Sequence, residues 1–346
     1  MMRKSFKDIS WLVTEQEYRA DSALSYSLLA RYEKEGFNNL SKLYDKIDTP
    51  SLVFGSAVDS IITGGREEFD SRFVVADTTS ISESLSHIIK LLYNKFGNTY
   101  QSLVSIPDND ILTIIDNEKW QSKWKNDTRL SKIRSTGEEY YNLLHLSEDK
   151  TIISSTTYYD VMRCVQELKT AISTSKYLNN TDNNVEVYYQ LKFKDTINGV
   201  DYKCMADIIY VDYYNKIIIP IDLKTSSKPE WDFYKSFIEY RYDIQAKLYW
   251  RIIHDNIIKD DYFKDFKLEH YRFIVINRVT LIPLVWVYSN SWNMSKSIYG
   301  KFNQIELRDP LTIGNELSHY LKSCQKVPDG IDMYNENSII EKLDNI

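Results

Sequence analysis

Met205-Ala206-Asp207-Ile208-Ile209-Tyr210-Val211 and Ile217-Ile218-Ile219-Pro220-Ile221-Asp222-Leu223-Lys224 decide how this chain is read. Both are apolar, β-branched runs of strand length. The polar segment between them, Asp212-Tyr213-Tyr214-Asn215-Lys216, reads as a hairpin turn. Folding that hairpin brings Asp207 toward Asp222. Side chains alternate across a strand, so Asp222 and Lys224, two positions apart, share a face. A charge placed directly after a β-branched run sits close to a core, where desolvation is costly unless the group is paired or metal-bound. Two carboxylates and a lysine at such a place suit Mg²⁺ or Mn²⁺ facing a phosphodiester. Oxygen donors hold the ion, and the lysine orients water or stabilises developing negative charge. Asp-x-Lys by itself is equally the pattern of a surface ion pair.

Downstream, Phe233, Phe237, Ile238, Tyr242, Gln245, Leu248, Tyr249 and Ile252 recur at spacings of three and four. This predicts one amphipathic helix over about Asp232 to Asp255. Gln245 falls within its apolar stripe, with Arg241 and Tyr249 one turn to either side. From helix geometry it reads either as a satisfied core amide or as a side chain facing the metal site or a DNA phosphate.

Taken in order, three blocks resemble the PD-(D/E)XK nucleases, in their RecB-like and RecE-like branch of phage-type exonucleases. They are Gly199-Val200-Asp201-Tyr202-Lys203-Cys204-Met205-Ala206-Asp207, Ile221-Asp222-Leu223-Lys224-Thr225-Ser226, and Tyr242-Asp243-Ile244-Gln245-Ala246-Lys247-Leu248-Tyr249. The resemblance implies that Asp207 and Asp222 hold the metal, helped by the Leu223 carbonyl, and that Lys224 is catalytic. It also implies that Gln245 and Tyr249 orient phosphate or ligands. Leu24-Ser25-Tyr26-Ser27 looks like the opening Ser-x-Ser helix of RecB-type nucleases. Phe54-Gly55-Ser56-Ala57-Val58-Asp59 looks like the helix that supplies a histidine ligand in many relatives, with Asp59 in the histidine's place. Some relatives carry a Glu near the metal on the strand matching Val185–Phe193. Glu186, Tyr188 and Gln190 share a face there by period two, and Gln190 is the position matched to the site. Ser25, Ser27, Thr225, Arg241 and Tyr249 are the residues expected to touch DNA.

Composition sets bounds. The chain has 346 residues, long enough for a substantial core in one large domain or two. Its 43% hydrophobic and 27% charged residues are those of a globular protein. No apolar run approaches the roughly 20 residues of a membrane helix, and the start Met1-Met2-Arg3-Lys4-Ser5-Phe6 has no apolar signal core. A cytoplasm is therefore the expected location, with no membrane partner, and the resemblance implies that of a bacterium or phage-infected host. The three cysteines, Cys164, Cys204 and Cys324, cannot supply the four ligands of an iron–sulfur cluster, so none is expected. A net charge of −6 argues against a general nucleic-acid coat. Local lysines and arginines around the hairpin, Lys203, Lys228 and Arg251 among them, can still line a groove.

Along the chain, residues 1–65 read as an N-terminal helical part of the core, with helices near Glu15–Glu35 and Phe54–Thr63. Residues 66–180 read as a helical cap or insertion, with helices near Ser82–Phe96 and Tyr158–Thr174, and with Trp120 and Trp124 placed to stack on one helix face. Residues 181–346 carry strands at Val185–Phe193, Lys203–Val211, Ile217–Thr225, Tyr271–Asn277 and Leu284–Tyr288. A last helix, Ile313–Ser323, precedes a polar tail. The expected fold is α/β: a restriction-endonuclease-like core, with a central mixed sheet flanked by helices and a helical cap. The resemblance implies a Mg²⁺- or Mn²⁺-dependent DNA exonuclease that processes ends in recombination, repair or phage replication. A structure-selective endonuclease on the same fold, or a catalytically silent DNA-binding or assembly protein, are the alternatives. DNA is the expected partner; a homo-oligomer and an annealing protein or helicase partner stay open by analogy.

Overall fold

The computed structural model describes residues 3–45, 49–77, 81–147, 150–289 and 307–324; the polar tail read at 327–346 lies outside them. The first half of the chain runs through α1 (Glu15–Ala20), α2 (Tyr26–Glu35), α3 (Pro50–Arg72), β1 (Phe73–Val75), α4 (Glu83–Phe96), α5 (Asp108–Asn117), α6 (Asn126–Leu146), β2 (Thr151–Ile153), α7 (Ser155–Thr170) and α8 (Ser175–Leu178). The second half supplies β3 (Val185–Ile197), β4 (Val200–Asp212), β5 (Ile217–Ser226), α9 (Phe233–Glu239), α10 (Tyr242–Ile258), β6 (Lys267–Leu268), β7 (Tyr271–Asn277), β8 (Leu284–Tyr288) and α11 (Pro310–Cys324). Contacts divide the chain into two units. One takes in Met1–Gly55 and the chain from Cys164 onward; the other is Ser56–Arg163.

The first unit is built on a mixed sheet in the order β3-β4-β5-β7-β8, with the short β6 also beside β5. Strands β3, β4 and β5 form an antiparallel meander, and β7 pairs with β8 antiparallel. Strand β7 lies parallel to β5, because the chain leaves β5, passes through α9 and α10, and only then returns. Parallel neighbours need such a crossover. Strand β5 is therefore interior. Ile217–Ile221 pair with β4 along one edge, and Ile221–Ser226 pair with β7 along the other. That position explains its unbroken apolar run.

One face of the sheet is covered by α10, α2 and α11. Ile244, Leu248 and Ile252 of α10, Leu29 of α2 and Ile313 and Leu317 of α11 share one core with Cys204, Ile209, Ile218 and Phe273. Gly314 permits the close approach of α11 to β4, since a Cβ there would run into the Tyr202 ring and hydroxyl. On the alternate side of β4, Tyr210 meets Tyr177 of α8 edge-on at 5.6 Å. This is the central mixed sheet flanked by helices that the sequence pattern leads one to expect.

Two expected helices are broken. The stretch Glu15–Glu35 divides at Asp21–Ser25 because Leu24 pairs with β4 instead, its N–H donating to Asp201 O and its carbonyl accepting from Lys203 N. The stretch Asp232–Asp255 divides between α9 and α10, where Arg241 takes a left-handed conformation with φ 53°. Two salt-bridged carboxylates, Asp243 and Glu33, hold the Arg241 side chain, so local charge pairing overrides helix continuity there.

In the second unit α4, α5 and α6 enclose a core that includes Ile89, Leu92, Ile115, Ile133 and Tyr141. Ser82 caps α4 as expected, accepting from Leu85 N. Strands β1 and β2 form a two-stranded parallel pair. Trp120 and Trp124 do not share a helix face. They lie in the turn after α5, with rings edge to face at 6.2 Å, Trp120 buried and Trp124 exposed. Among the described residues no helix is long and apolar enough to cross a membrane.

Candidate active site

The hairpin strands are joined by hydrogen bonds up to the pair Ile208–Ile221. The next step of the register would set Asp207 opposite Asp222. There β4 and β5 part company, and the Leu223 N–H donates to the Asp207 carboxylate at 3.0 Å. Strand β5 continues along β7 on its other edge. The two acidic residues thus lie in the fork where the hairpin opens.

Strand β3 marks the same level. Tyr189 pairs with Ile208 and Leu191 with Ala206, which sets Gln190 across from Asp207. Gln190 has φ 53°, a left-handed conformation that costs an L-residue about 1–2 kcal/mol. Core-facing residues run Tyr188 then Leu191 on β3, and Ala206 then Ile209 on β4. Both strands therefore skip one position at the fork. The period-two expectation that Glu186, Tyr188 and Gln190 share a face fails for this reason: alternation does not survive a left-handed residue.

Asp222 is 1% exposed. Gln245, also buried, donates through Nε2 to Asp222 Oδ1, and Lys224 Nζ stands 2.7 Å from Asp222 Oδ2. The ammonium pairs with Oδ2 at hydrogen-bond distance, so both oxygens of Asp222 are engaged. Gln245 Oε1 is buried without a hydrogen-bond partner. The ammonium also lies over the Tyr242 ring, 4.7 Å from Nζ to centroid. Burial alone would favour a neutral Lys224. The negative charge of Asp222, with smaller contributions from Tyr242 and Asp207, outweighs it and holds the ammonium protonated beyond the ordinary lysine range. Tyr242 was missed at the sequence level. Its signal was its place one turn before Gln245, on the same face of the same helix.

The remaining candidates lie as follows. Tyr249 is 7% exposed and packs edge-on against Tyr271 and Tyr26, and burial pushes its hydroxyl far above the ordinary range. Arg241 is committed to Asp243 and Glu33, each at 2.9 Å. Ser25 is buried at the start of α2, its hydroxyl 3.0 Å from that of exposed Ser27. Thr225 is half-buried, and a Cβ at Gly55 would lie 2.8 Å from its Oγ1. Asp59 belongs to the second unit and is half-buried on α3. Lys203, read as a groove residue, is instead buried against the end of α1, donating to Tyr18 O and Asp21 O, and burial lowers its pKa. Lys228 pairs with Glu239 and Arg251 with Asp255.

Among the described residues no group of three or more His, Cys, Asp or Glu side chains is arranged to hold a metal. The donors at the fork are two carboxylates and the buried, unpartnered amide oxygen of Gln245. An all-oxygen set with few protein ligands fits a small hard cation that keeps several of its waters.

No family model and no curated protein matches the chain. Among solved structures it is similar to the crystal structure of a protein called "Putative exonuclease", from Eubacterium rectale, at 13% sequence identity and a TM-score of 0.44; the match covers 92% of this chain and 89% of that one.

Proposed function

We propose that this chain is a Mg²⁺- or Mn²⁺-dependent nuclease of the PD-(D/E)XK kind, with a restriction-endonuclease-like core, that hydrolyses DNA from its ends. One observation carries the reading. A buried carboxylate within an interior strand is held by a lysine and a glutamine, where the hairpin opens and a second carboxylate accepts from the N–H of the next residue. Fold maintenance alone supplies no reason to bury the unpartnered Gln245 oxygen beside this carboxylate–lysine pair.

Asp207, Asp222 and the Leu223 carbonyl would hold the ion, with Gln245 Oε1 beside them. When bound, the metal supplies Lewis-acid activation of water and neutralises charge on the scissile phosphate. Lys224 donates its N–H groups to a non-bridging phosphate oxygen as charge develops there, and helps to orient the attacking water. Gln245 keeps Asp222 turned into the fork. Ser27 and Thr225 are the polar side chains assigned to the DNA backbone, whereas Ser25 is buried beneath Ser27 and would only orient its hydroxyl. In this reading the reaction belongs to the processing of DNA ends in recombination, repair or phage replication, in a cytoplasm.

The test is degradation of linear and closed-circular DNA by the wild type and Lys224→Ala in Mg²⁺, Mn²⁺ or EDTA. Metal-dependent loss of linear DNA only, absent in the variant, is the expected result. Nicking of circles assigns an endonuclease. One observation favours a silent binding protein, since Lys224 and Gln245 already occupy Asp222. DNA binding with no cleavage in any metal would decide for it.

A further inference from the structure

We propose that Tyr242 is a positioning residue for Lys224, its ring face fixing the ammonium at the fork. This deepens the nuclease reading and rests on it. A lysine carries a flexible four-carbon stem and a point charge, so a single contact does not fix where its ammonium sits. Here Nζ stands 2.7 Å from Asp222 Oδ2 and 4.7 Å from the centroid of the Tyr242 ring. An ammonium is drawn to the electron-rich face of an aromatic ring within about 6 Å, and more strongly where water is excluded.

The ring itself is held firmly. It stacks on Phe233 at 5.7 Å with an interplanar angle of 19°, and lies 5.8 Å from Phe273 and 6.4 Å from Phe237. Tyr242 opens α10, directly after the left-handed Arg241 that sets the helix direction. Gln245 follows one turn later and holds the other oxygen of Asp222. A single turn of one helix therefore grips both ends of the Asp222–Lys224 pair, the carboxylate by an amide and the ammonium by a ring. Unlike Asp222, the ring cannot be drawn away by a ligand to the carboxylate. The contact needs the aromatic face and not the hydroxyl, so phenylalanine replaces tyrosine there and leucine does not.

Two readouts test this. In protein carrying ¹³C-labelled lysine, the Lys224 ε-methylene signal is identified by its absence in Lys224→Ala. It is expected upfield of the other lysines through the ring current in the wild type and Tyr242→Phe, and at an ordinary position in Tyr242→Leu. On linear DNA, Tyr242→Leu is expected to lower kcat about tenfold with KM nearly unchanged, and Tyr242→Phe to stay within about twofold of wild type. An ordinary Lys224 signal in wild type, or full kcat in a folded Tyr242→Leu, overturns the proposal. If Tyr242→Leu fails to fold, an unshifted signal in both wild type and Tyr242→Phe still overturns it. A wild type that cleaves no DNA in any metal defeats the nuclease reading, while a shifted Lys224 signal would still support the positioning.

Discussion

Asp222 and Glu230 lie eight residues apart in the same unit, both almost without exposure, and their surroundings are opposite in kind. Glu230 Oε1 accepts from the backbone N–H groups of Asn277 and Ile282, and Oε2 from the Thr280 hydroxyl. Asn277 completes the knot, donating to Ser226 O and Lys228 O while accepting from Val279 N and Thr280 N. The segment after β5 is thereby tied to the β7–β8 turn by short, mostly backbone donors. Asp222 is held instead by two long side chains, and the Gln245 oxygen beside it lacks a hydrogen bond. A carboxylate that only builds structure is satisfied mostly by donors fixed in the backbone, as Glu230 is. A carboxylate that must take up a ligand is held by groups that can turn away.

The comparison is sharpened most by Lys224→Ala. It is expected to reduce cleavage of linear DNA by about a thousandfold, roughly 4 kcal/mol of barrier, under conditions where the protein stays folded, and also to cost stability because Asp222 is left buried without its counter-charge. Cleavage within tenfold of wild type would remove Asp222–Lys224 from the chemistry. Glu230→Ala costs stability alone. Two N–H groups and a hydroxyl lose their acceptor, so stability is expected to drop by about 3 kcal/mol in urea unfolding, with cleavage little changed under conditions where the protein stays folded. A loss below about 1 kcal/mol would show that the knot bears no weight. Gly314→Ala, remote from both carboxylates, should cost about 2 kcal/mol by pushing α11 off the Tyr202 ring. It should do so without changing the relative activities of the site variants.

These two carboxylates also mark how much the sequence made legible. Asp222 could be found because it interrupts a strand pattern at a fixed distance from Lys224, and period two is a short-range rule. The β4–β5 hairpin was readable for the same reason, its turn chemistry lying between two β-branched runs. Glu230 was overlooked because its partners come from Asn277, Thr280 and Ile282, about fifty residues later, and no local spacing announces them. The left-handed residues Gln190 and Arg241 were hidden too. Neither is glycine, so no residue type signals the break, and the periodic readings of β3 and of the Asp232–Asp255 helix ran straight through them. Lys203 was misread because composition places lysine at the surface, whereas two carbonyls at the end of α1 hold this one inside.

The finest discrimination comes from changing each carboxylate to its amide. In Glu230→Gln one oxygen that accepted becomes an amide nitrogen that must donate, against the N–H groups of Asn277 and Ile282 or the Thr280 hydroxyl. The amide can turn its oxygen to the two N–H groups, and the hydroxyl can reverse to accept, so the loss is expected to stay near 1 kcal/mol. In Asp222→Asn a buried charge is removed, and the amide oxygen can still accept from Gln245. The Lys224 ammonium retains the ring of Tyr242 as a neighbour. Relief of carboxylate desolvation offsets part of the lost ion pair, and the part-exposed Lys224 ammonium keeps the charge of Asp207 nearby in place of Asp222. Stability is expected to change by less than about 1 kcal/mol in either direction, and cleavage to be lost. Urea unfolding of the two amide variants side by side decides the matter. If Asp222→Asn proves clearly the more destabilised of the two, Asp222 is a structural carboxylate like Glu230, and the contrast between them falls.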